Sequence, residues 1–366
     1  MLFTRKRKVN HSNTGGKTMK KHFIGSAIPV VLIFTCCLFI APAVALAQSA
    51  NTMTKEQINA ALDEAYTKFK EVKEGKNADY IKELARVDSR IFGIALVTAD
   101  GQVFTKGDIS SMVSIQSVSK AFVMAQVIEE QGHQVLQDKI GVDATGDVFN
   151  SIVAVERMRG KEINPLVNPG AIAATSLVKG ADSSAKWKSI LQCQSDFAGR
   201  QLSLNMPVYI SEAGDNLRNQ AIAHLLLAYG RMYFDPVQTT DIYTRQCAIN
   251  VNAKDLAIMG ATLANGGVNP VTKKKVVSPE TVMYTLPVMA TAGLYDDSGI
   301  WYYNSGLPAK SGVGGGIVAV CPGKFGIGVV SPPLDNAGNS VKAQLVIKYV
   351  VEKLDANPFL VKPRND

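Results

Sequence analysis

The sequence has 366 residues, of which 46% are hydrophobic and 19% charged, and it carries a formal net charge of +8. This hydrophobic content excludes a disordered chain, and 30 glycines with 15 prolines exclude a collagen-like or low-complexity one. Five cysteines are too few for a disulfide scaffold of this length.

The positive charge is concentrated at the beginning of the chain. Seven of the 39 basic residues lie within residues 1–47, which contain no Asp or Glu. The rest of the chain is therefore nearly neutral. It shows no basic stripe and no nucleic-acid module, so we expect no nucleic-acid partner.

Residues 1–47 have the pattern of a secretory signal peptide. Two lysines beginning at Lys20 form a positive segment, residues 28–40 are apolar, and residues 45–47 supply the small side chains of a cleavage site before Gln48. An uncleaved membrane anchor is the alternative, but the apolar run is short for a span of about 20 residues. The pattern predicts export to the periplasm and no stable membrane anchor after cleavage.

The first elements of the mature chain are a helix and a hairpin. Residues 54–57 have the form of a capping box, and the apolar side chains that follow at helical spacing predict a helix ending near Gly75. Residues 92–97 are an apolar run rich in branched side chains. The Asp-Gly turn at 100–101 then leads into a second strand at 103–104.

Helical patterns dominate the middle of the chain, and strands return near its end. Helices are predicted at residues 117–131, 171–179, 216–233 and 253–265. Two further strands are predicted at 316–320 and 325–330, followed by a closing amphipathic helix at 341–354.

This order of elements predicts an α+β fold. One antiparallel sheet combines the N- and C-terminal strands, the terminal helices cover it, and a helical lobe is inserted between them. Residues 48–366 then form a single domain. Its sheet part covers about 75–115 and 290–356, and its helical lobe about 117–290.

A serine and a lysine at helical spacing are the first candidates for chemistry. Ser117 and Lys120 form an S-x-x-K pattern at a predicted helix start, where residues i and i+3 share a face. A hydroxyl needs a base to become a nucleophile, and a lysine can be that base when burial lowers its pKa. A second match, Ser183 to Lys186, is interpreted as a solvated surface stretch.

The sequence Lys310-Ser311-Gly312 strengthens this interpretation. It precedes three glycines and a predicted strand, whereas a phosphate-binding loop leads into a helix. A K-[ST]-G strand late in a chain with an early S-x-x-K helix is the Ser–Lys acyl-transferase arrangement of the β-lactamase type. The glycines allow the backbone to approach a substrate closely.

Metal and disulfide chemistry are not expected. After cleavage only His133 and His224 remain, with no second ligand at metal spacing. The remaining cysteines, Cys193, Cys247 and Cys321, are predicted to be buried thiols, with one disulfide among them as the alternative. No cofactor is predicted.

Nine short blocks in a fixed order resemble the bacterial-type glutaminases, from about residue 75 to about residue 350. The blocks are Ala78-Asp79-Tyr80-Ile81, Ser114-Ile115-Gln116-Ser117-Val118-Ser119-Lys120, Phe149-Asn150-Ser151, the stretch from Asn164 to Ala171, Ser211-Glu212, Arg218-Asn219, Tyr243-Thr244-Arg245-Gln246-Cys247, Gly293-Leu294-Tyr295-Asp296 and the stretch from Gly306 to Gly316.

The resemblance implies a β-lactamase/transpeptidase-like fold and hydrolysis of L-glutamine to L-glutamate and ammonia. It implies that Ser117 is the nucleophile, Lys120 its base and Tyr295 a proton relay, with the backbone N–H groups of Ser117 and Val313 as the oxyanion hole. It further implies a homodimer or homotetramer. The implied substrate-binding residues are Tyr80, Ser117, Asn168, Glu212, Asn219, Tyr243, Tyr295 and Val313.

This set of side chains suits a free amino acid. Glu212 offers a negative charge for an ammonium group, while Asn168, Asn219 and the tyrosine hydroxyls offer neutral donors and acceptors. Two alternatives remain. One is a β-lactamase or penicillin-binding-type acyl transferase, for which residues 203–205 supply an S-x-N pattern; the other is a non-catalytic amino-acid-binding protein, which needs no Ser–Lys pair.

Overall fold

The computed structural model of the protein describes residues 53–161, 163–361 and 363. The predicted signal peptide, residues 1–47, lies outside these residues. The helices are α1 Lys55–Phe69, α2 Lys82–Ala85, α3 Ser119–Gln131, α4 Gln134–Lys139, α5 Ile152–Met158, α6 Asn168–Leu177, α7 Ser183–Ala198, α8 Met206–Ala213, α9 Leu217–Ala228, α10 Pro236–Cys247, α11 Ala253–Ala264, α12 Pro279–Ala292, α13 Ser298–Ser305 and α14 Val341–Lys353. The strands are β1 Gly93–Thr98, β2 Val103–Gly107, β3 Val113–Ser114, β4 Asn250–Val251, β5 Ala309–Gly312, β6 Gly316–Cys321 and β7 Phe325–Val330.

A five-stranded sheet has the order β2-β1-β7-β6-β5, and each neighbouring pair is antiparallel. The N-terminal hairpin joins the C-terminal strands where β1 pairs with β7, with Ala95 opposite Gly328. The predicted sheet of N- and C-terminal pieces is therefore confirmed, as is the α+β class. A separate pair, β3 with β4, lies within the middle of the chain.

Both faces of the sheet are covered, which explains why its central strands are continuous apolar runs. Ile94 and Ile327 belong to one buried cluster with residues of α1 and α14. Ala95 and Val318 face the opposite way and belong to the cluster that continues into the helical lobe. The terminal helices thus cover one face, as predicted, and a helix from the middle of the chain, α11, covers the other.

Two glycines of β7 let α11 lie directly on the sheet. A Cβ atom at Gly326 would lie 2.0 Å from the backbone nitrogen of Ala261, and one at Gly328 would lie 2.4 Å from the carbonyl oxygen of Ala253. Any side chain at these positions would push the helix away from the strand. The alternate residues of β7 point to the other face and fill the cluster under α1 and α14.

The N-terminal helix is shorter than predicted. Its capping box at Thr54 is present, but α1 ends at Phe69 rather than near Gly75. The Lys342 ammonium donates to the Lys70 carbonyl oxygen at 2.9 Å and so binds the end of the helix. The prediction was wrong because the side chain that caps the last carbonyl groups comes from α14, which is far along the chain.

The second S-x-x-K match is also different from its prediction as a solvated stretch. Lys186 is buried in α7, and its ammonium donates to the carbonyl oxygens of Ser176 and Val178 at the end of α6. It binds the carbonyls that the end of α6 leaves without helical partners. Within the described part of the chain, no helix has the combined length and hydropathy of a membrane span.

Candidate active site

A cavity of about 240 Å³ opens between the end of the sheet and the helical lobe. A larger one of about 860 Å³, near the end of α1, contains none of the predicted site residues. The smaller cavity is lined by seven of the eight residues predicted to bind substrate: Tyr80, Ser117, Asn168, Glu212, Asn219, Tyr243 and Val313. The chain therefore brings together residues that are up to 233 positions apart in sequence.

Ser117 lies in a short 3-10 turn, Gln116–Val118, that continues directly into α3. The residue before it, Gln116, has φ +50, a left-handed conformation that costs about 1–3 kcal/mol and is common at functional sites. Strand β5 packs on this turn, because a Cβ at Gly312 would lie 2.7 Å from the carbonyl oxygen of Ile115 and 3.2 Å from the nitrogen of Ser117. The predicted close approach of the glycine-rich segment is thus present.

Lys120 lies in the first turn of α3 with only 1% of its surface exposed. Its ammonium donates to Oδ1 of Asn168 at 2.6 Å, and the rings of Phe149 and Tyr243 lie 5.9 and 5.8 Å from it. Burial lowers the pKa of Lys120 to about 8, which the nearby Cys247 opposes. About a tenth of the amine is therefore unprotonated at pH 7, far more than for an ordinary lysine, and this neutral form is the one that a general base requires.

Asn168 is the centre of a buried amide network. Its Oδ1 accepts from Lys120 and, at 3.1 Å, from the Tyr243 hydroxyl, while its Nδ2 donates to Oδ1 of Asn219 at 3.0 Å. It is the first residue of α6, and Pro169 follows it in the first helical turn, where no backbone donor is lost. This network holds side chains from α3, α6, α9 and α10 in one arrangement.

Glu212 lines the cavity from near the end of α8. Its Oε1 accepts a 2.6 Å hydrogen bond from Nε2 of Gln116, which also donates to Oγ of Ser114 at 3.1 Å. Burial raises the pKa of the Glu212 carboxyl to about 7, and the Gln116 hydrogen bond opposes this rise. Gln116 was not predicted as a site residue, although it stands next to Ser117 in the matched block.

Tyr295 is buried, is the predicted binding residue that does not line the cavity, and has φ +52, a second left-handed residue at the site. Its hydroxyl donates to the Ser311 carbonyl oxygen at 3.4 Å, and its ring packs 4.9 Å from that of Phe149. Burial raises the pKa of Tyr295 to about 12, and a hydrogen bond with the Ser117 side chain opposes the rise. The phenol is therefore protonated at neutral pH and lies beside the proposed nucleophile.

The remaining two predicted residues are Val313, which offers a backbone N–H, and Tyr80, which is exposed. The Val313 N–H has no hydrogen-bond acceptor among the residues that the structure describes, so it is free to bind a developing negative charge. Tyr80 is 61% exposed and stands at the mouth of the cavity. It is placed to contact a bound ligand from the solvent side.

The S-x-N pattern of the acyl-transferase alternative lies away from this cavity. Asn205 is the N-cap of α8, where its side chain accepts from the Val208 N–H and donates to Asn250. Cys193, Cys247 and Cys321 are free thiols, so the disulfide alternative is excluded. Across the described ranges, no three His, Cys, Asp or Glu side chains are arranged to hold a metal ion.

The structure combines an antiparallel sheet from both ends of the chain with an inserted helical lobe, and a buried serine and lysine lie where the two meet. These features define the β-lactamase-like class. The model of the glutaminase family matches residues 75–359. The chain therefore belongs to the glutaminase family.

Individual relatives match more than four fifths of this chain. A glutaminase of Colwellia psychrerythraea is 53% identical over 302 residues, which cover 82% of this chain and 97% of the relative. A solved structure described as probable glutaminase ybaS has a TM-score of 0.83 at 46% identity, covering 84% of this chain and 100% of that one. A structure of Mglu in its glutamate form has a TM-score of 0.80 at 33% identity, covering 85% and 72%.

Proposed function

We propose that this protein hydrolyses L-glutamine to L-glutamate and ammonia through a glutamyl-enzyme formed on Ser117. The observation that carries the proposal is one cavity lined by Ser117, Asn168 and Glu212, with buried Lys120 hydrogen-bonded to Asn168. A cavity of about 240 Å³ suits a single amino acid better than a long polymer. Family membership and the structural relative solved in its glutamate form support the same substrate class.

The chemistry begins at the hydroxyl of Ser117. Neutral Lys120 takes its proton as Ser117 attacks the amide carbon, and a tetrahedral intermediate forms. The N–H groups of Ser117 and Val313 stabilise its oxyanion. The carbon–nitrogen bond then breaks, and the nitrogen leaves as ammonia with the proton that Lys120 took from Ser117. Water hydrolyses the acyl-enzyme, which releases glutamate and regenerates Ser117.

The other cavity residues recognise the α-amino acid. Glu212 binds the ammonium group, because it is the cavity carboxylate that a hydrogen bond from Gln116 holds in place beside Ser117. Asn168, Asn219 and Tyr243 supply amide and hydroxyl groups for the rest of the substrate. A ligand that lacked the matching groups would leave these buried polar atoms unpaired, which is a strong source of selectivity.

The proposal is tested by measuring ammonia release from glutamine beside hydrolysis of nitrocefin by the full chain. Ammonia release without nitrocefin turnover supports it. Nitrocefin turnover alone would favour the β-lactamase alternative. Tight glutamine binding without either reaction would favour the non-catalytic binding protein.

Replacing Glu212 by Gln is expected to weaken glutamine and glutamate binding by roughly 10- to 150-fold, because a charge-assisted hydrogen bond contributes about 1.5–3 kcal/mol. The variant still accepts the hydrogen bond from Gln116, so the wall keeps its shape. Binding is measured by calorimetry with glutamate and by KM for glutamine.

The wild-type protein provides the control for this variant. Because the pKa of Glu212 is about 7, the carboxyl is neutral below that pH and charged above it. The KM of the wild type should therefore approach that of Glu212→Gln as the pH falls below 7. An unchanged KM in the variant at pH 8 would make Glu212 a structural residue.

We assign Tyr295 the role of a proton relay between Ser117, Lys120 and the leaving nitrogen. Its protonated hydroxyl lies beside the Ser117 side chain and can pass its proton to the leaving nitrogen while it receives from Lys120 the proton that Lys120 took from Ser117. Tyr295→Phe removes only this hydroxyl, so kcat should fall by ~10²-fold with little change in KM. Steady-state kinetics would contradict the relay if KM rose and kcat stayed constant.

Two further properties extend the proposal. Residues 1–47 have the pattern of a cleaved signal peptide, which supports export and a periplasmic mature protein beginning at Gln48. The resemblance to glutaminases supports a homodimer or homotetramer. N-terminal sequencing of the protein from a periplasmic extract tests the first property, and analytical ultracentrifugation tests the second.

A further inference from the structure

Lys310 is a fully buried lysine to which the proposed reaction gives no role. It lies on β5, has no exposed surface, and is not among the described residues that line the cavity. Its ammonium donates to the carbonyl oxygens of Gly293 and Ser311, each at 2.8 Å. The donors of this lysine are thus directed into the protein rather than toward a ligand.

Both carbonyl groups that Lys310 binds belong to residues that position Tyr295. Gly293 precedes Tyr295 by two residues, at the end of α12. Ser311 supplies the carbonyl oxygen to which the Tyr295 hydroxyl donates. The Lys310 ammonium itself lies 4.2 Å from the centroid of the Tyr295 ring, in the range of a cation–π contact.

The segment held in this way has little freedom to move. A Cβ at Gly293 would lie 1.8 Å from the Ala309 carbonyl oxygen, so the end of α12 touches β5 directly. The Ser311 N–H also donates to the Gly293 carbonyl, at 3.2 Å. Tyr295 adopts its left-handed backbone conformation immediately after this contact, and such a conformation persists only where the surroundings enforce it.

We propose that Lys310 is a positioning residue that fixes the Tyr295 phenol beside Ser117. Its ammonium bridges the backbone before Tyr295 and the acceptor of the Tyr295 hydroxyl, and it faces the ring between them. This inference rests on the proposed relay function of Tyr295. It separates the two lysines of the site: Lys120 exchanges a proton with Ser117, whereas Lys310 acts only through Tyr295.

A double-mutant cycle tests this separation. Lys310→Met keeps the length of the side chain and removes its donors and charge. It should lower kcat for glutamine by ~10- to 100-fold with little change in KM, because misplacing a reacting group by about 1 Å can cost ~10²-fold. In a Tyr295→Phe background the same change should lower kcat by less than ~3-fold, since contacting residues that act together are non-additive.

The chain offers a matched control in Lys186. This lysine is also buried and also donates to two carbonyl oxygens, but at the far end of α6, about 15 Å along the helix from Asn168. Lys186→Met should lower the midpoint of thermal unfolding and leave kcat unchanged. If both variants lose the same stability and only Lys310→Met loses kcat, the loss of kcat comes from the surroundings of Tyr295 and not from general destabilisation.

Each result of the cycle decides one question. If Tyr295→Phe lowers kcat and Lys310→Met lowers it further by the same factor in both backgrounds, Lys310 acts independently of Tyr295 and the proposal is wrong. If Tyr295→Phe leaves kcat unchanged, the relay function fails, and the Lys310 proposal fails with it. If Lys310→Met does not fold, the cycle is run with Lys310→Leu, which also lacks donors and charge, and the same criterion of non-additivity applies.

Discussion

Ser117→Ala is expected to lower kcat for glutamine by at least ~10⁴-fold, the scale seen when a serine nucleophile is removed. The loss is large because the neighbouring hydroxyl at this junction, that of Ser119, is fully buried and already donates to the Gln116 carbonyl oxygen at 2.8 Å. Glutamine binding should remain nearly unchanged, since the proposed ammonium and amide contacts come from Glu212 and Asn168.

Ammonia release and calorimetric titration with glutamine measure the two quantities separately. Ser183→Ala is the matched control, because Ser183 opens the other S-x-x-K of the chain, at the start of α7. That variant should keep full activity. Turnover in Ser117→Ala within tenfold of the wild type would show that another group attacks the substrate.

Lys120→Met is expected to lower kcat by ~10²- to 10⁴-fold, the usual contribution of a general base. Methionine retains the bulk of the buried side chain, so the effect reports the lost amine. Lys120→Arg should not restore activity, because a guanidinium stays protonated and cannot accept a proton. An activity of Lys120→Met comparable to that of the wild type would transfer the role of base to another group.

The pH profile gives an independent reading of Lys120. The base must be neutral, and the pKa of Lys120 is about 8. Glu212 must be ionised, and its pKa is about 7. Both requirements are met as pH rises, so kcat/KM should increase from below pH 7 to above pH 8. A profile that fell over this interval would contradict both assignments.

The fold was largely predictable because its sheet depends on local patterns. The strands at 92–97, 316–320 and 325–330 are apolar runs bounded by turn residues, and each forms as predicted. The docking of α11 was not predictable in this way. It depends on Gly326 and Gly328 being opposite one helix backbone, and a glycine within a strand pattern equally indicates a bulge.

The residues of the site were likewise predictable only where their contacts are local in sequence. Ser117 and Lys120 are close in sequence, so helical spacing alone placed them together. The contacts of Gln116 with Glu212 and of Lys310 with Gly293 were not predictable, because they form only when separate elements of the chain meet. Lys186 was misjudged for the same reason, since the carbonyls that it binds belong to a different helix.

The surroundings of the two buried lysines determine how charge develops in the site during the reaction. The hydrogen-bond acceptors of Lys120 and Lys310 are neutral oxygens: an amide side chain and two backbone carbonyls. When Lys120 takes the proton of Ser117, a positive charge therefore appears in a region of low polarisability just as the oxyanion forms nearby. The two new charges are created and removed together, so the oxyanion never forms without a cation nearby to stabilise it.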